Sequence, residues 1–495
     1  MNVKLFLILS VGLWLWAFRG DAVERPNVLW IVADDLGLEL GCYGEPEVST
    51  PNIDRLAAEG VRFTNCFATS PVCSSSRTAF ILGMYQTTVG GHHHVTREMP
   101  VLVEGVRPVT EWFRGAGYFV SNASAKGVLE EGFGEDSLIG MKGKTHFNFV
   151  YDEKRLFDGM DWRERAEAGQ PFFAQVQISE PHREFVKVGD DVIDASKVRI
   201  PPIYPDHPVT RADWRNYLAT VQVCDERVGV ILDRLEAEGL AENTVVFFFG
   251  DHGRPHLWDK QWLYEGGLRT PLIVRWPGVL PAGDVRKGLV SLIDVAPTSL
   301  EAAGIEVPDL MQGENFLEEN WIGRQVVYAA RDRCGDAVDR IRAVRTPRYK
   351  YIKNYMPENP YMVLSGYKKG AYPVWTLMEV LEARGELEPT LRFRMRSHRP
   401  AEELYDLRVD PHEMQNLAGY PDHDEVLEEM RGLLAAWEKE TGDRGGEVEG
   451  DERFMRELKR GKANDLRKRM EKRGLSDDVT PEYYLQWWEK ELGLE

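Results

Sequence analysis

Cys73 stands four residues ahead of Arg77 in SPVCSSSRTAF, residues 70–80, with three serines between them. A thiol so placed has three ordinary uses: half of a disulfide, a metal ligand or a nucleophile. The chain holds five cysteines, Cys42, Cys66, Cys73, Cys224 and Cys334, too few and too scattered for a disulfide framework, and their odd number leaves at least one unpaired. No Cys-x-x-Cys or Cys/His zinc spacing occurs. Asp34 and Asp35 follow one apolar run, and Asp251 and His252 follow another. Adjacent carboxylates after a strand more often cap a helix than hold a metal, but the imidazole beside a carboxylate at a second strand end favours a site for a hard cation such as Ca²⁺ or Mg²⁺. Lys144 and His146 in KTH, and His182 after Pro181, are unremarkable singly and gain meaning only together and in this order.

The elements that must position these residues are legible as hydrophobic pattern. RPNVLWIVADDLG reads as a strand from Val28 to Ala33, and TVVFFFGDHG repeats the design. Neither run alternates, as expected of strands covered on both faces. Between them, ADWRNYLATVQVCDERVGVILDRLEAEGL places Trp214, Leu218, Val221, Val228, Ile231, Leu232 and Leu235 at helical spacing and ends at Gly239. TPNIDRLAAEGVRF reads as a shorter helix capped by Thr50 or Asn52. Strands alternating with helices predict an α/β fold with a large mixed, mostly parallel sheet, whose ligands gather at the carboxyl ends of the strands. IRAVRTPRYKYIKNY and EELYDLRVDP predict a smaller C-terminal α+β subdomain built on an antiparallel sheet. The organisation expected is a leader over 1–22, a catalytic domain over 23–335, the subdomain over 336–445 and a charged, solvated helical tail over 446–495.

The leader rests on Lys4, the apolar stretch LFLILSVGLWLWAF and the small residues Gly20 and Ala22, the pattern of an export signal too short to cross a bilayer comfortably. Export to a periplasmic, secreted or lysosomal compartment follows, with no integral membrane span after its removal; the alternative is an uncleaved anchor, because Arg19 and Asp21 sit close to the expected cut. The net charge of −19 argues against a nucleic-acid binder. It also requires any anionic small substrate to be met by a local cluster of cations. The run NAS, residues 122–124, fits a glycosylation acceptor.

Cys73-Ser74-Ser75-Ser76-Arg77 resembles the Cys-x-Pro/Ala-x-Arg signature of the type I sulfatases, in the alkaline-phosphatase superfamily. VADDLG, TPNIDRLAAEGVRFTNCFATSPVC, GKTH, EPHR, GDHG, KQWLYEGGLRTPLIVRWPG and ELYDLRVDPHEMQNLA are similar to further segments of that family, in the family's order. The resemblance implies an alkaline-phosphatase-like sheet and a hydrolase of sulfate esters or N-sulfates. It implies that a formylglycine-generating maturation enzyme converts Cys73 to an aldehyde, which is hydrated at rest. One hydroxyl of that diol takes the sulfuryl group, and the other expels sulfate by restoring the aldehyde.

By the same resemblance Asp34, Asp35, Asp251 and His252, with residue 73, hold one Ca²⁺. Arg77 orients the diol, Lys144 holds sulfate, and His146 takes the proton as sulfate leaves. His182 and Lys260 bind sulfate and protonate the leaving atom. Two residues depart from the pattern. Ser75 replaces Pro or Ala, which bears on maturation, and His252 replaces the commoner Asn, although imidazole is a poor partner for Ca²⁺. The branch most resembled is that of N-sulfoglucosamine sulfohydrolase and of exported polysaccharide sulfatases, which implies a sulfated saccharide substrate. His94 and Arg97 in GMYQTTVGGHHHVTREMP, with Asp332 and Arg333, are the candidate sugar contacts. Phosphodiesterases and phosphonate hydrolases share the superfamily, and a chain with unconverted Cys73 would be a glycan-binding protein only.

Overall fold

The computed structural model describes residues 25–96, 99–125, 142–318, 320–443 and 466–494. The expected leader, Arg97 and the first part of the charged tail lie outside the described residues.

Seven strands form the main sheet: β1 Asn27–Ala33, β2 Val61–Phe67, β3 Phe119–Ser124, β4 Phe172–Ile178, β5 Thr244–Gly250, β6 Arg269–Arg275 and β7 Asp284–Ser291, in the order β3-β4-β1-β5-β6-β2-β7. Only β6 runs against the others. β1, β4 and β5 are buried along their whole length, which is why their sequences do not alternate. Each face of β1 still serves its own layer. Val28, Trp30 and Val32 pack with Phe80, Ile81 and Val295, whereas Leu29 and Ile31 pack with Trp214, Leu218 and Ile231. The first layer includes the helix Cys73–Leu82 and the second the 30-residue helix Pro208–Ala237. The longer helix stops two residues short of Gly239, whose φ of +68° suits glycine.

Register decides the position of the site. Ala33 pairs with Gly250 in the parallel ladder between β1 and β5, so both chains leave the sheet side by side and deliver Asp34-Asp35 next to Asp251-His252. Ala33 also pairs with Ile178 of β4, which brings Gln177 to the same end.

The second sheet is antiparallel in the order β11-β10-β9-β8, from β8 Val327–Arg331, β9 Ile341–Arg345, β10 Tyr349–Asn354 and β11 Glu402–Asp406. It starts one strand before the change in sequence texture near residue 335, because the short run VYAAR carries too little pattern to be read alone. The described part of the tail is packed against the body, contrary to the expectation of a solvated helix. In the helix Pro481–Glu491, Leu485 joins Leu377 and Val380, while Tyr484 and Trp488 close over Met470. Aromatic residues one turn apart give this charged segment an apolar stripe. Asn122 is buried within β3 and donates to the Gly143 carbonyl at 3.0 Å, so it offers no side chain for a glycan.

The helix Cys73–Leu82 is pinned to the sheet by Phe80, whose ring meets Trp30 and Phe249 edge-on at 6.0 and 5.4 Å. Phe80→Ala is expected to cost about 3–5 kcal/mol of unfolding free energy, read from the urea midpoint. A loss below about 1 kcal/mol would mean that other contacts hold the helix.

Candidate active site

Cys73 opens its helix and is 3% exposed at the carboxyl edge of the sheet. Its Sγ lies 3.3 Å from Asp34 Oδ1, 3.8 Å from Asp35 Oδ1 and 3.5 Å from His252 Nε2. Asp34, Asp35, Asp251 and His252 are all buried, so the residues read from the two strand ends do converge on the thiol. All five cysteines are free.

Three buried carboxylates need positive charge close by. Arg77, one turn after Cys73, supplies the first: Nε donates to Asp251 Oδ2 at 2.9 Å and Nη1 to Gln177 Oε1 at 2.7 Å. Lys260 Nζ donates to both oxygens of Asp35, at 2.8 and 2.6 Å, and lies 3.7 Å from Sγ. Lys144 Nζ reaches Asp34 Oδ2 at 2.5 Å. Burial opposes ionisation of Asp34, yet Lys144 and Arg77 hold its carboxyl well below the usual range. Asp35 is lowered in the same way, burial being overcome by Lys260, His182 and His252. The lysines respond in kind, since Lys260 is raised well above its ordinary value by Asp35 against the pull of burial.

The imidazoles are oriented by backbone carbonyls. His252 Nδ1 donates to the Gly253 carbonyl at 2.9 Å, which turns Nε2 toward Asp35 Oδ1 at 2.9 Å. Burial disfavours its charge, but Asp251 and Asp35 raise its pKa well above the ordinary value. His182 Nδ1 donates to the Arg183 carbonyl at 2.5 Å and presents Nε2 to Asp35 Oδ2 at 3.8 Å. Lys144 and His182 keep 26% and 31% of their side-chain surface, and His146 is exposed, whereas the carboxylate floor is closed. The mouth is therefore basic and the floor acidic. Although its ring is open to solvent, partial desolvation and the cations Lys144 and Arg77 lower the pKa of His146, favouring the neutral ring.

Backbone strain gathers here too. Five described residues other than glycine have positive φ: Asp35, Val95, His146, Gln261 and Glu413. Two of these are candidate site residues, and Val95 and Gln261 directly follow His94 and Lys260.

The histidine loop after the signature helix is tied down from below. Ser75 Oγ donates to the His92 carbonyl at 3.1 Å, and Ser74 Oγ accepts from Val95 N at 2.9 Å. Asn148 Nδ2 donates to the carbonyls of Gly91 and His93 at 2.9 and 2.6 Å. The serine that departs from the signature thus makes a bond that neither Pro nor Ala can make. His94 lies in the field of the site: burial together with Lys260 and Lys144 lowers its pKa to about 3, so it meets a ligand as a neutral ring.

Asp332 and Arg333 are engaged internally. Asp332 pairs with Arg342 at 3.2 Å, and burial pushes its carboxyl up to about 7. Arg333 donates to the carbonyls of His94 and Gly335 at 3.2 and 2.8 Å, so it braces the loop. Gln177, Asn148 and Lys368 were not singled out by sequence. Lys368 Nζ donates to the Leu257 and Lys260 carbonyls at 2.8 and 2.6 Å. Neutral or isolated polar residues in loops and strands carry no motif, and only the fold brings them in.

Asp35, Cys73 and His252, and separately Asp34, Cys73 and Asp251, each place one ligand atom within 4.8 Å of the others. Atoms that close can share one ion at the 2.3–2.6 Å typical of Ca²⁺–oxygen bonds. Oxygen donors with one oriented imidazole therefore fit a hard or borderline cation.

Comparison with known proteins agrees with this geometry. The family described as Sulfatase matches residues 26–305, and N-sulphoglucosamine sulphohydrolase, C-terminal, matches 250–369. The chain is 32% identical to an "Ulvan-active sulfatase" of Formosa agariphila over 474 residues, covering 85% of this chain and 76% of the relative. It is 27% identical to the N-sulphoglucosamine sulphohydrolase of Homo sapiens over 491 residues, covering 85% and 91%. Among solved structures, a protein bound to its substrate D-glucosamine-2-N,6-O-disulfate superposes with a TM-score of 0.58 at 19% identity, covering 85% of this chain and 99% of that one. A phosphonate monoester hydrolase of Agrobacterium radiobacter gives 0.60 at 18%, covering 84% and 96%, so the fold is not confined to sulfatases. The chain belongs to the sulfatase family and is a sulfuric ester hydrolase.

Proposed function

We propose that this enzyme removes sulfate from a sulfated saccharide of the kind found in ulvan or in N-sulfated glucosamine polymers, using a formylglycine made from Cys73 and one bound Ca²⁺. The observation that carries the reading is the convergence on Cys73 Sγ of Asp34 Oδ1 at 3.3 Å, His252 Nε2 at 3.5 Å and Lys260 Nζ at 3.7 Å. The relatives that support the substrate class are the ulvan-active sulfatase and the sulphohydrolase. Export, as the leader implies, suits a polymer substrate.

Formylglycine at residue 73 supplies a hydrated aldehyde, a hydroxyl nucleophile with its own means of release. Asp34, Asp35, Asp251 and His252 would hold the Ca²⁺, which would supply positive charge for sulfate oxygens and acidify a neighbouring hydroxyl. The other roles belong to the chain. Arg77, locked between Asp251 and Gln177, fixes the orientation of residue 73 from one turn along the helix. Lys144 and Lys260 bring two ammonium groups to where sulfate oxygens sit, offsetting the repulsion from an acidic chain. His182, with Nε2 free of its backbone bond and partly open to solvent, donates a proton to the leaving oxygen or nitrogen. His146, neutral at the mouth, accepts one.

Mass spectrometry of the Cys73 peptide from the native host is expected to show a loss of about 18 Da, the change from CH₂–SH to CHO. An intact thiol in fully active protein overturns the reading. Arg77→Ala is expected to lower kcat by about 10²–10³-fold or more on an aryl sulfate. Near-normal turnover contradicts its role. The lowered pKa of His146 keeps the ring unprotonated below the ordinary value of about 6.5, so the acid limb of kcat/KM is expected below that pH. His146→Gln should lower the rate and remove that limb. A limb unchanged in His146→Gln assigns it to another group.

A further inference from the structure

A cavity of about 1020 Å³ lies beside the loop that follows His182. One wall is the loop Arg183–Lys187, which directly follows His182, and the other is the C-terminal segment around residues 468–492. The two walls differ in how their charges are used. On the loop side, Arg183 is held by Asp213 at 2.7 and 2.5 Å, and Lys187 pairs with Glu491 at 2.6 Å. On the tail side, Lys468 and Lys472 stand one helical turn apart, are exposed, and form no ion pair among the described residues. Beneath them Arg473 packs over Trp487 and Trp488 at 4.7 and 4.9 Å and donates to Tyr484 Oη at 2.6 Å, which makes a firm floor. Trp487, half-buried, gives the cavity an aromatic edge suited to the C–H face of a sugar.

The cavity is joined to the site through one ring. The Arg469 guanidinium lies 5.2 Å over Tyr367, and the same ring lies 5.8 Å from Lys260 Nζ and 6.3 Å from the His182 ring. The lining holds the cations Arg183, Lys187, Lys468, Arg469, Lys472 and Arg473 against the carboxylates Glu184, Asp213, Glu471 and Glu491, a local excess of positive charge in a chain of net charge −19. An occupant that needs such a surface is anionic, is built of sugar rings and reaches the catalytic mouth.

We propose that this cavity is a second subsite, in which Lys468 and Lys472 bind a further sulfate of the saccharide chain whose other sulfate is being removed. The proposal rests on the saccharide reading above and adds that the enzyme grips more than one sulfated residue. The probes are ulvan, ulvan oligosaccharides and p-nitrophenyl sulfate. In a native gel containing ulvan the full chain is expected to be retarded, and Lys468→Glu/Lys472→Glu to lose most of that retardation, with Lys468→Gln/Lys472→Gln between them. The ratio of kcat/KM on ulvan oligosaccharides to kcat/KM on the aryl ester is expected to fall about tenfold in the Glu variant, a figure that partial misfolding does not alter. No retardation of the wild type, equal retardation of wild type and both variants, or an unchanged ratio overturns the subsite. Retardation that the variants abolish, in a wild type that cleaves the aryl ester but releases no sulfate from ulvan, leaves the subsite standing and refutes the saccharide substrate.

Discussion

Three carboxylates buried at the ends of two neighbouring strands govern the rest of the molecule. Placing Asp34, Asp35 and Asp251 out of water costs several kcal/mol for each ion unless positive charge meets them. Arg77, Lys144 and Lys260 arrive from three separate parts of the chain to do so. Each cation is recruited to stabilise the fold, and each thereby ends beside residue 73, where an anionic substrate must be received. In the proposed function the same side chains that neutralise the interior would also receive sulfate. The strain at Asp35 and His146 belongs to this arrangement, because positive φ turns these side chains where an extended strand or regular helix would not.

Much of this was legible in the sequence for definite reasons. The runs VLWIVA and VVFFF lack alternation because both faces of β1 and β5 are covered, and the residues following such strands fall at the ligand-bearing edge of the sheet. The spacing of Cys73 and Arg77 reads directly as one helical turn. Lys144, His146, His182 and Lys260 were different. They sit in loops or short turns, no periodicity marks them, and family resemblance alone gathered them before the structure placed them round one cluster. The resemblance could not indicate which polar neighbours do the holding. Gln177 is one buried residue in an apolar strand, and Asn148 is a loop asparagine that ties down the histidine loop through three carbonyl or amide groups. For Asp332 and Arg333 the sequence allows either a sugar contact or an internal ion pair, and Arg342 and backbone carbonyls engage them inside.

The tail shows the limit of composition as a guide. Its many lysines and arginines gave it the look of a solvated helix, but Leu485 packs on Leu377 and Val380, and Tyr484 Oη donates to the Gly370 carbonyl at 3.3 Å, which fastens it to the body. Once docked, the charges that made it look inert line a cavity beside the loop that follows His182. Ser75 is a smaller instance of the same lesson, since its departure from the signature is explained by a bond to the His92 carbonyl, a contact created only by folding.

For the proposed chemistry to run, the strand-end carboxylates must hold a cation at residue 73. The direct measurement is the calcium content of protein stripped with chelator, reloaded with Ca²⁺ and freed of excess, for wild type and for Asp35→Asn. Close to one ion per wild-type chain, with loss of both ion and turnover in Asp35→Asn, is the predicted result. A variant that keeps its ion and its full rate would contradict it.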